Sequence, residues 1–386
     1  MVLAAAVVTG SAFTGSFRRF ERIAIAFCGA SLLLVPVYLL AHPAAAQMAH
    51  GFAMPQLPGG AGQLSVVMLL IIGIVGTTVA PWQLFFQQSY VIDKRITPRF
   101  MRYEKADLWI GIVIVVIGAA ALMGATAAAF AHSGAAGHFT DTAGLARGLQ
   151  AYAGRAAGVL FAVALLDASV IGAFAVSLST AYAIGDVLGI RHSLHRGVRS
   201  AKGFYALYGG LVAAAAVIVL LPGSPLGLLT EGVQVLAGVL LPSASVFLLL
   251  LCNDAEVLGP WVNGRKTNAF TAAVIAVLVT LSVVLTASVL FPAITAGQIV
   301  GIMAACGAAA LLAGGYALAR RLRRGGPAAT LPGRTGRESW RMPPLALLQR
   351  PAMSTGRKIG MGALRLYLAV AMILVVIRIA QLALGH

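Results

Sequence analysis

Nine long apolar runs, each bounded by polar or Pro/Gly punctuation, decide what this chain can fold into. They lie at about 20–41, 64–90, 107–131, 156–187, 203–222, 231–252, 268–291, 295–319 and 361–384. A helix needs roughly 20 apolar residues to cross a hydrocarbon core. No water is available there to satisfy backbone N–H and C=O groups, so a spanning segment of this kind must be helical. The expected fold class is therefore an all-α polytopic membrane protein. Only 10% of the residues are charged, whereas a soluble domain needs about 25% to hydrate its surface.

The basic residues test that span list independently. Segments 17–23, 93–105, 188–202, 253–267 and 320–365 carry 3, 5, 4, 2 and 11 Lys or Arg. The alternating segments 42–63, 223–230 and 292–294 carry none, and 132–155 carries only Arg147 and Arg155. Positive charge is retained on the cytoplasmic side of a membrane, so the basic loops are expected to be cytoplasmic and the protein to sit in the cytoplasmic (inner) membrane. The net charge of +17 is then a product of topology and of contact with anionic lipid, and nucleic acid is not an expected partner. Cys28, Cys252 and Cys306 show neither disulfide nor metal-ligand spacing and read as packing residues. Residues 1–16 read as the tail of a transmembrane helix, 17–319 as a bundle of eight helices, 320–360 as an Arg- and Pro-rich cytoplasmic linker, and 361–386 as an additional helix. The orientation has the first segment run toward the cytoplasm, as if the chain began in the middle of a fold.

One span is not a plain helix. Between Leu64 and Lys94, a smooth apolar half gives way to Gly73, Gly76, Thr77, Thr78, Ala80 and Pro81. Pro81 cannot donate to the carbonyl of Thr77 and disfavours helical geometry at Ala80. Trp82, Gln83, Gln87 and Gln88 follow, with Gln83 and Gln87 on one helical face at i, i+4 spacing. Unwound backbone at membrane depth is tolerated where it is buried in protein or lines an aqueous cavity, and broken helices of transporters use freed carbonyls to hold cations. A simple proline kink is the competing reading.

These residues resemble the sixth helix of the Nramp (natural resistance-associated macrophage protein) family of divalent metal transporters. That family carries Ala-Thr-Val-Met-Pro-His there, with a second His five residues on; here Thr77-Thr78-Val79-Ala80-Pro81-Trp82 stands in its place, with Gln87 at the second His position. FRRFERIAIAF (17–27) is similar to the start of the family's fifth helix, 160–189 to its eighth, and 231–254 to its tenth, with Gln234 eight residues before a Leu-Pro pair. The resemblance implies a LeuT-like inverted-repeat fold of the amino acid–polyamine–cation superfamily with an incomplete first repeat. Nothing like the family's Asp-Pro-Gly-Asn first-helix motif occurs, so the chain is expected to be a version of a longer protein whose first three helices are missing, holding half a site.

The resemblance also implies a metal site. Its expected members are the Thr77 carbonyl, Ala80 as the selectivity position, and Gln234, for which an interhelical hydrogen bond is the alternative. Ala80 replaces a Met thioether, a soft ligand for transition metals, and leaves oxygen donors that suit hard cations. Trp82 and Gln87 replace histidines that can handle protons. The pattern looks like the Nramp-related magnesium transporters, so the expected cargo is Mg2+ ahead of Mn2+, without proton coupling. Gln83, Gln87 and Trp82 are expected to line a vestibule, with interhelical packing as the alternative for the two glutamines. Asp167, a carboxylate inside an apolar span, is expected to serve as cation pathway or as a pair partner, the alternative being a place near a helix bend or partner helix with no role in transport. Asp107 and Glu104, at the entry to the next span, either draw in cations or complement a helix dipole. Asp93, Asp186 and Asp254 are expected to be solvated pairs near basic loops. The seven histidines fall in loops or at the terminus. No nucleophile–base set emerges, so the chain is not expected to be an enzyme, needs no cofactor beyond its transported cation, and is expected to act as a monomer. An organic-solute transporter of the same fold and a non-transporting scaffold are the competing readings.

Overall fold

The computed structural model describes residues 2–13, 16–54, 63–130, 142–291, 294–323, 339–344, 347 and 355–383. They form fifteen α-helices and no strand among the described residues. In chain order these are α1 (Val2–Ala12), α2 (Phe17–Ala30), α3 (Leu34–Ala41), α4 (Ala45–Ala53), α5 (Gln63–Thr78), α6 (Pro81–Asp93), α7 (Met101–Phe130) and α8 (Thr142–Ala153). They continue as α9 (Arg155–Leu188), α10 (Lys202–Leu220), α11 (Leu226–Leu251), α12 (Ala255–Leu258), α13 (Arg265–Leu290), α14 (Ala296–Arg323) and α15 (Thr355–Ala383). Eight stretches among the described residues are long and apolar enough to cross a membrane, and they coincide with the first eight expected spans. The ninth expected span is helical as α15. Much of the expected linker, from 324 to 338 and 348 to 354, lies outside the described residues.

α7 shows why these helices belong in lipid. Trp109, Ile110, Val113, Val116 and Ile117 are all exposed, which leaves the helix no polar face for water. It begins at Met101, after a 3₁₀ turn at Pro98–Phe100, six residues before the expected start. Arg102 and Lys105 are thereby inside the helix, where their long stems can carry the charge toward the membrane surface. The segment 132–155 was expected to be a loop, but 142–153 form α8. Leu145, Ala146, Leu149 and Ala153 fall on one side of it and pack with Ala157 and Phe161 of α9. Gly154, at φ +89°, turns the chain from α8 into α9 in a conformation that a side chain would oppose.

The chain divides into two compact units. One comprises 1–56 and 82–228, the other 57–81 and 229–386. In the first, Val8, Phe17, Phe174, Tyr182, Phe204 and Tyr208 belong to one buried cluster, and the Tyr208 hydroxyl donates to the Val8 carbonyl at 3.2 Å. In the second, Ile72, Val235, Val239 and Leu285 pack together, and Tyr367 of α15 donates to the Val239 carbonyl. Lipid tails are as apolar as these side chains, so close van der Waals fit and interhelical hydrogen bonds hold the helices together.

Candidate metal site at the broken helix

The helical ladder of α5 ends where the sequence places the break. Val79 N–H still donates to the Val75 carbonyl at 3.0 Å, but Val79 and Ala80 are no longer helical, and α6 begins at Pro81. Pro81 has no N–H, so the Thr77 carbonyl loses its intrahelical donor. The Thr77 and Thr78 hydroxyls turn back onto the Gly73 and Ile74 carbonyls at 2.9 and 2.8 Å. At Thr77 the carbonyl is therefore an oxygen freed of its intrahelical hydrogen bond, while the hydroxyl proton is engaged with Gly73. Thr77 is exposed, whereas Ala80 is 5% exposed.

Gln234 reaches this segment through a glycine contact. A Cβ on Gly76 would collide with the Gln234 carbonyl and lie 2.5 Å from the Gly238 nitrogen. A Cβ on Gly238 would lie 2.6 Å from the Ile72 carbonyl. α5 and α11 thus cross backbone to backbone, one residue before Thr77 and at the turn of α11 that carries Gln234, which is half-buried. Pro242 lies inside α11, and its missing N–H frees the carbonyl of Gly238. Two helices with proline-freed carbonyls therefore meet at a glycine pair. Sequence reading noted Gly76 and the Leu241-Pro242 pair but not their partnership; the signal was Pro242 four residues after Gly238.

The remaining expected residues lie in the first unit. Trp82 is half-buried, with its ring 6.1 Å from that of Phe86. Gln83 is half-buried. Gln87 is exposed, and its Nε2 donates to Glu104 Oε1 at 3.1 Å. Asp107 is exposed on α7, one turn beyond Glu104. Gln87 is thus engaged with the acidic start of α7.

Asp93 corrects a sequence expectation. It is 9% exposed and not a solvated pair. Tyr182 and Ser193 hydroxyls donate to its two oxygens, and Leu194 N–H adds a third bond at 2.9 Å. Asp186 accepts from Ser89 at 3.3 Å and lies 3.2 Å from His192, while Asp254 accepts from Glu256 N–H at the start of α12. The C-terminal half of α6 is thereby tied at Ser89 and Asp93 to α9 and the turn after it. No local pattern announces the partners of Asp93, which lie about a hundred residues away.

Asp167 is also buried, at 6% exposure. Its Oδ2 accepts from the Ser31 hydroxyl at 2.8 Å. Ser31 opens a 3₁₀ turn, Ser31–Leu33, that interrupts the first long span between α2 and α3. Among the described residues no three His, Cys, Asp or Glu side chains come together to hold a metal. Of the histidines, 132, 138 and 386 lie outside the described residues, and His50 lies in α4 and not in a loop.

Residues 1–288 match the family described as natural resistance-associated macrophage protein-like, Nramp. The chain belongs to the Nramp family. Two relatives, each named divalent metal cation transporter MntH, are similar to it. The one from Klebsiella pneumoniae is 25% identical over 305 residues, covering 73% of this chain and 68% of its own length. The one from Ralstonia nicotianae is 26% identical over 218 residues, covering 55% of this chain and 48% of its own length. The Nramp match takes in α1 through nearly all of α13, including the break and the α5–α11 crossing, while α14 and α15 lie beyond it.

Proposed function

We propose that this Nramp protein moves divalent metal cations across the cytoplasmic membrane, Mg2+ ahead of Mn2+, through a site at the unwound segment Thr77–Pro81. The observation that carries the reading is the break itself. A carbonyl freed by Pro81 stands beside a glycine crossing that brings in the Gln234 turn of α11. The names of the two MntH relatives support a divalent cation as cargo. The resemblance supports a LeuT-like fold around the site and basic loops facing the cytoplasm.

Chemistry narrows the choice of cation. The expected donors are carbonyl and amide oxygens, which suit hard ions, and Mg2+ retains several waters in most of its sites. Ala80 offers no thioether. Trp82 and Gln87 do not titrate near neutral pH, so uptake is driven by membrane potential and not by a proton gradient. The test is uptake by the purified protein in liposomes held at an inside-negative potential, with a Mg2+ indicator and a pH indicator enclosed. Mg2+ entry without acidification is expected. Mn2+ entry accompanied by acidification, or no cation entry in vesicles with intact protein, overturns the reading.

A further inference from the structure

The carboxylate of Asp167 is only half accounted for. Oδ2 accepts from Ser31, but Oδ1 is buried and has no hydrogen-bond partner. The residue lies inside α9, the longest membrane-crossing helix among the described residues. Neither of the ion pairs formed by the described residues involves it. A carboxylate withdrawn from water is strongly disfavoured unless it is neutralised and its lone pairs are satisfied. One serine hydroxyl does neither.

The element opposite Asp167 is suited to supplying more oxygen. At Ser31 the backbone leaves α-helical geometry for the 3₁₀ turn Ser31–Leu33. The Ser31 hydroxyl oxygen retains lone pairs while it donates to Asp167. The turn therefore sets a hydroxyl oxygen beside a carboxylate with a free oxygen, all within one compact unit. These are hard donors carrying a single negative charge. A divalent ion here would leave one positive charge uncompensated inside the membrane, whereas a monovalent ion leaves none.

We propose that Asp167 and Ser31 hold a monovalent alkali cation, Na+ in the first instance, and that this ion fastens the α2–α3 bend to α9. The proposal does not rest on the transport reading.

The experiment uses the purified protein in nanodiscs of neutral phosphatidylcholine, with NaCl exchanged for choline chloride at constant ionic strength. Thermal unfolding and equilibrium binding of radioactive Na+ are both read. A ligand that binds the folded state raises its melting temperature with its concentration, so a saturable Na+-dependent rise is expected. It should vanish in Asp167→Asn, shift its midpoint several-fold upward in Ser31→Ala, and persist in Glu256→Gln. A response that survives in Asp167→Asn overturns the proposal, as does a folded wild-type protein indifferent to Na+. Mg2+ acting at the same residue more tightly than Na+ overturns the monovalent assignment. Should Asp167→Asn fail to fold, Ser31→Ala decides, and an unchanged Na+ midpoint there overturns it. None of these readings requires cation flux, so they stand or fall apart from the transport assay.

Discussion

The phenolic hydroxyl of Tyr182 donates to the carboxylate of Asp93, which ties the end of α6 to α9. Tyr182 is 1% exposed, and its ring also stacks with Phe204. A hydrogen bond to a charged group contributes about 1.5–3 kcal/mol. Ser193 and Leu194 remain as donors to Asp93 when the phenol is lost, so Tyr182→Phe is expected to cost near the lower end, about 1.5 kcal/mol. Tyr182→Phe with Ser193→Ala should cost more than the sum of the two, because together they leave the buried Asp93 carboxylate with the Leu194 N–H as its remaining donor of the three. Unfolding in detergent followed by circular dichroism measures both. Strict additivity would show that the two bonds act independently.

Two glycines one turn apart should behave oppositely. A Cβ at Gly73 meets only Val235 at 3.8 Å, an ordinary contact, while one at Gly76 collides with the backbone of α11. Gly73→Ala is expected to be neutral or slightly stabilising, since Gly in a helix costs about 0.5–1 kcal/mol relative to Ala. Gly76→Ala is expected to force α5 from α11 and cost about 1–3 kcal/mol through overpacking. Cation uptake should fall with Gly76→Ala and not with Gly73→Ala. Equal melting temperatures for the two variants would contradict the backbone-to-backbone crossing.

The contrast between these pairs shows what the sequence could and could not disclose. Helix existence and the break were legible because they depend on local composition: apolar runs of membrane length, and a proline among glycines. Charge alternation tested the spans without reference to any contact. α8 is short and amphipathic and follows a polar segment, so neither its length nor its mean hydropathy sets it apart from a loop. The glycine crossing was half legible, as two glycines and two prolines whose pairing needs the third dimension. Asp93 and Asp167 mark the limit. The same residue type near a helix end or inside a span looks alike in sequence, and only the distant Tyr182, Ser193 and Ser31 reveal that each is buried and bonded.

Gln87 offers a test of proton independence. It is exposed and bonds to Glu104, so a histidine there, beside a carboxylate that favours its charged form, should titrate above its ordinary value of about 6.5. In the wild-type protein, Mg2+ uptake is expected to be flat between about pH 5.5 and 7.5. In Gln87→His, the imidazolium formed below that raised value repels the approaching cation. Uptake should therefore fall as the medium is acidified and recover above that value. Initial rates in liposomes at matched internal and external pH measure it, and a flat profile in Gln87→His would remove residue 87 from the cation's route.

Ala80 offers the corresponding test of selectivity. Its side chain is a methyl group at the position where the Nramp pattern has a methionine, and it is 5% exposed. A thioether prefers softer ions, so Ala80→Met should move the order of uptake from Mg2+ toward Mn2+, and further toward Cd2+. The larger side chain also has to fit a buried position, where overpacking costs about 1–3 kcal/mol. Ala80→Leu therefore serves as the control for bulk. It should lose uptake of all three ions alike, whereas Ala80→Met should lose Mg2+ while gaining the softer ions. The measurement is competition of each metal against Mg2+ in the same vesicles, with melting temperatures recorded for both variants. If Met and Leu give the same ion order, sulfur is not a ligand at this position and residue 80 does not face the ion.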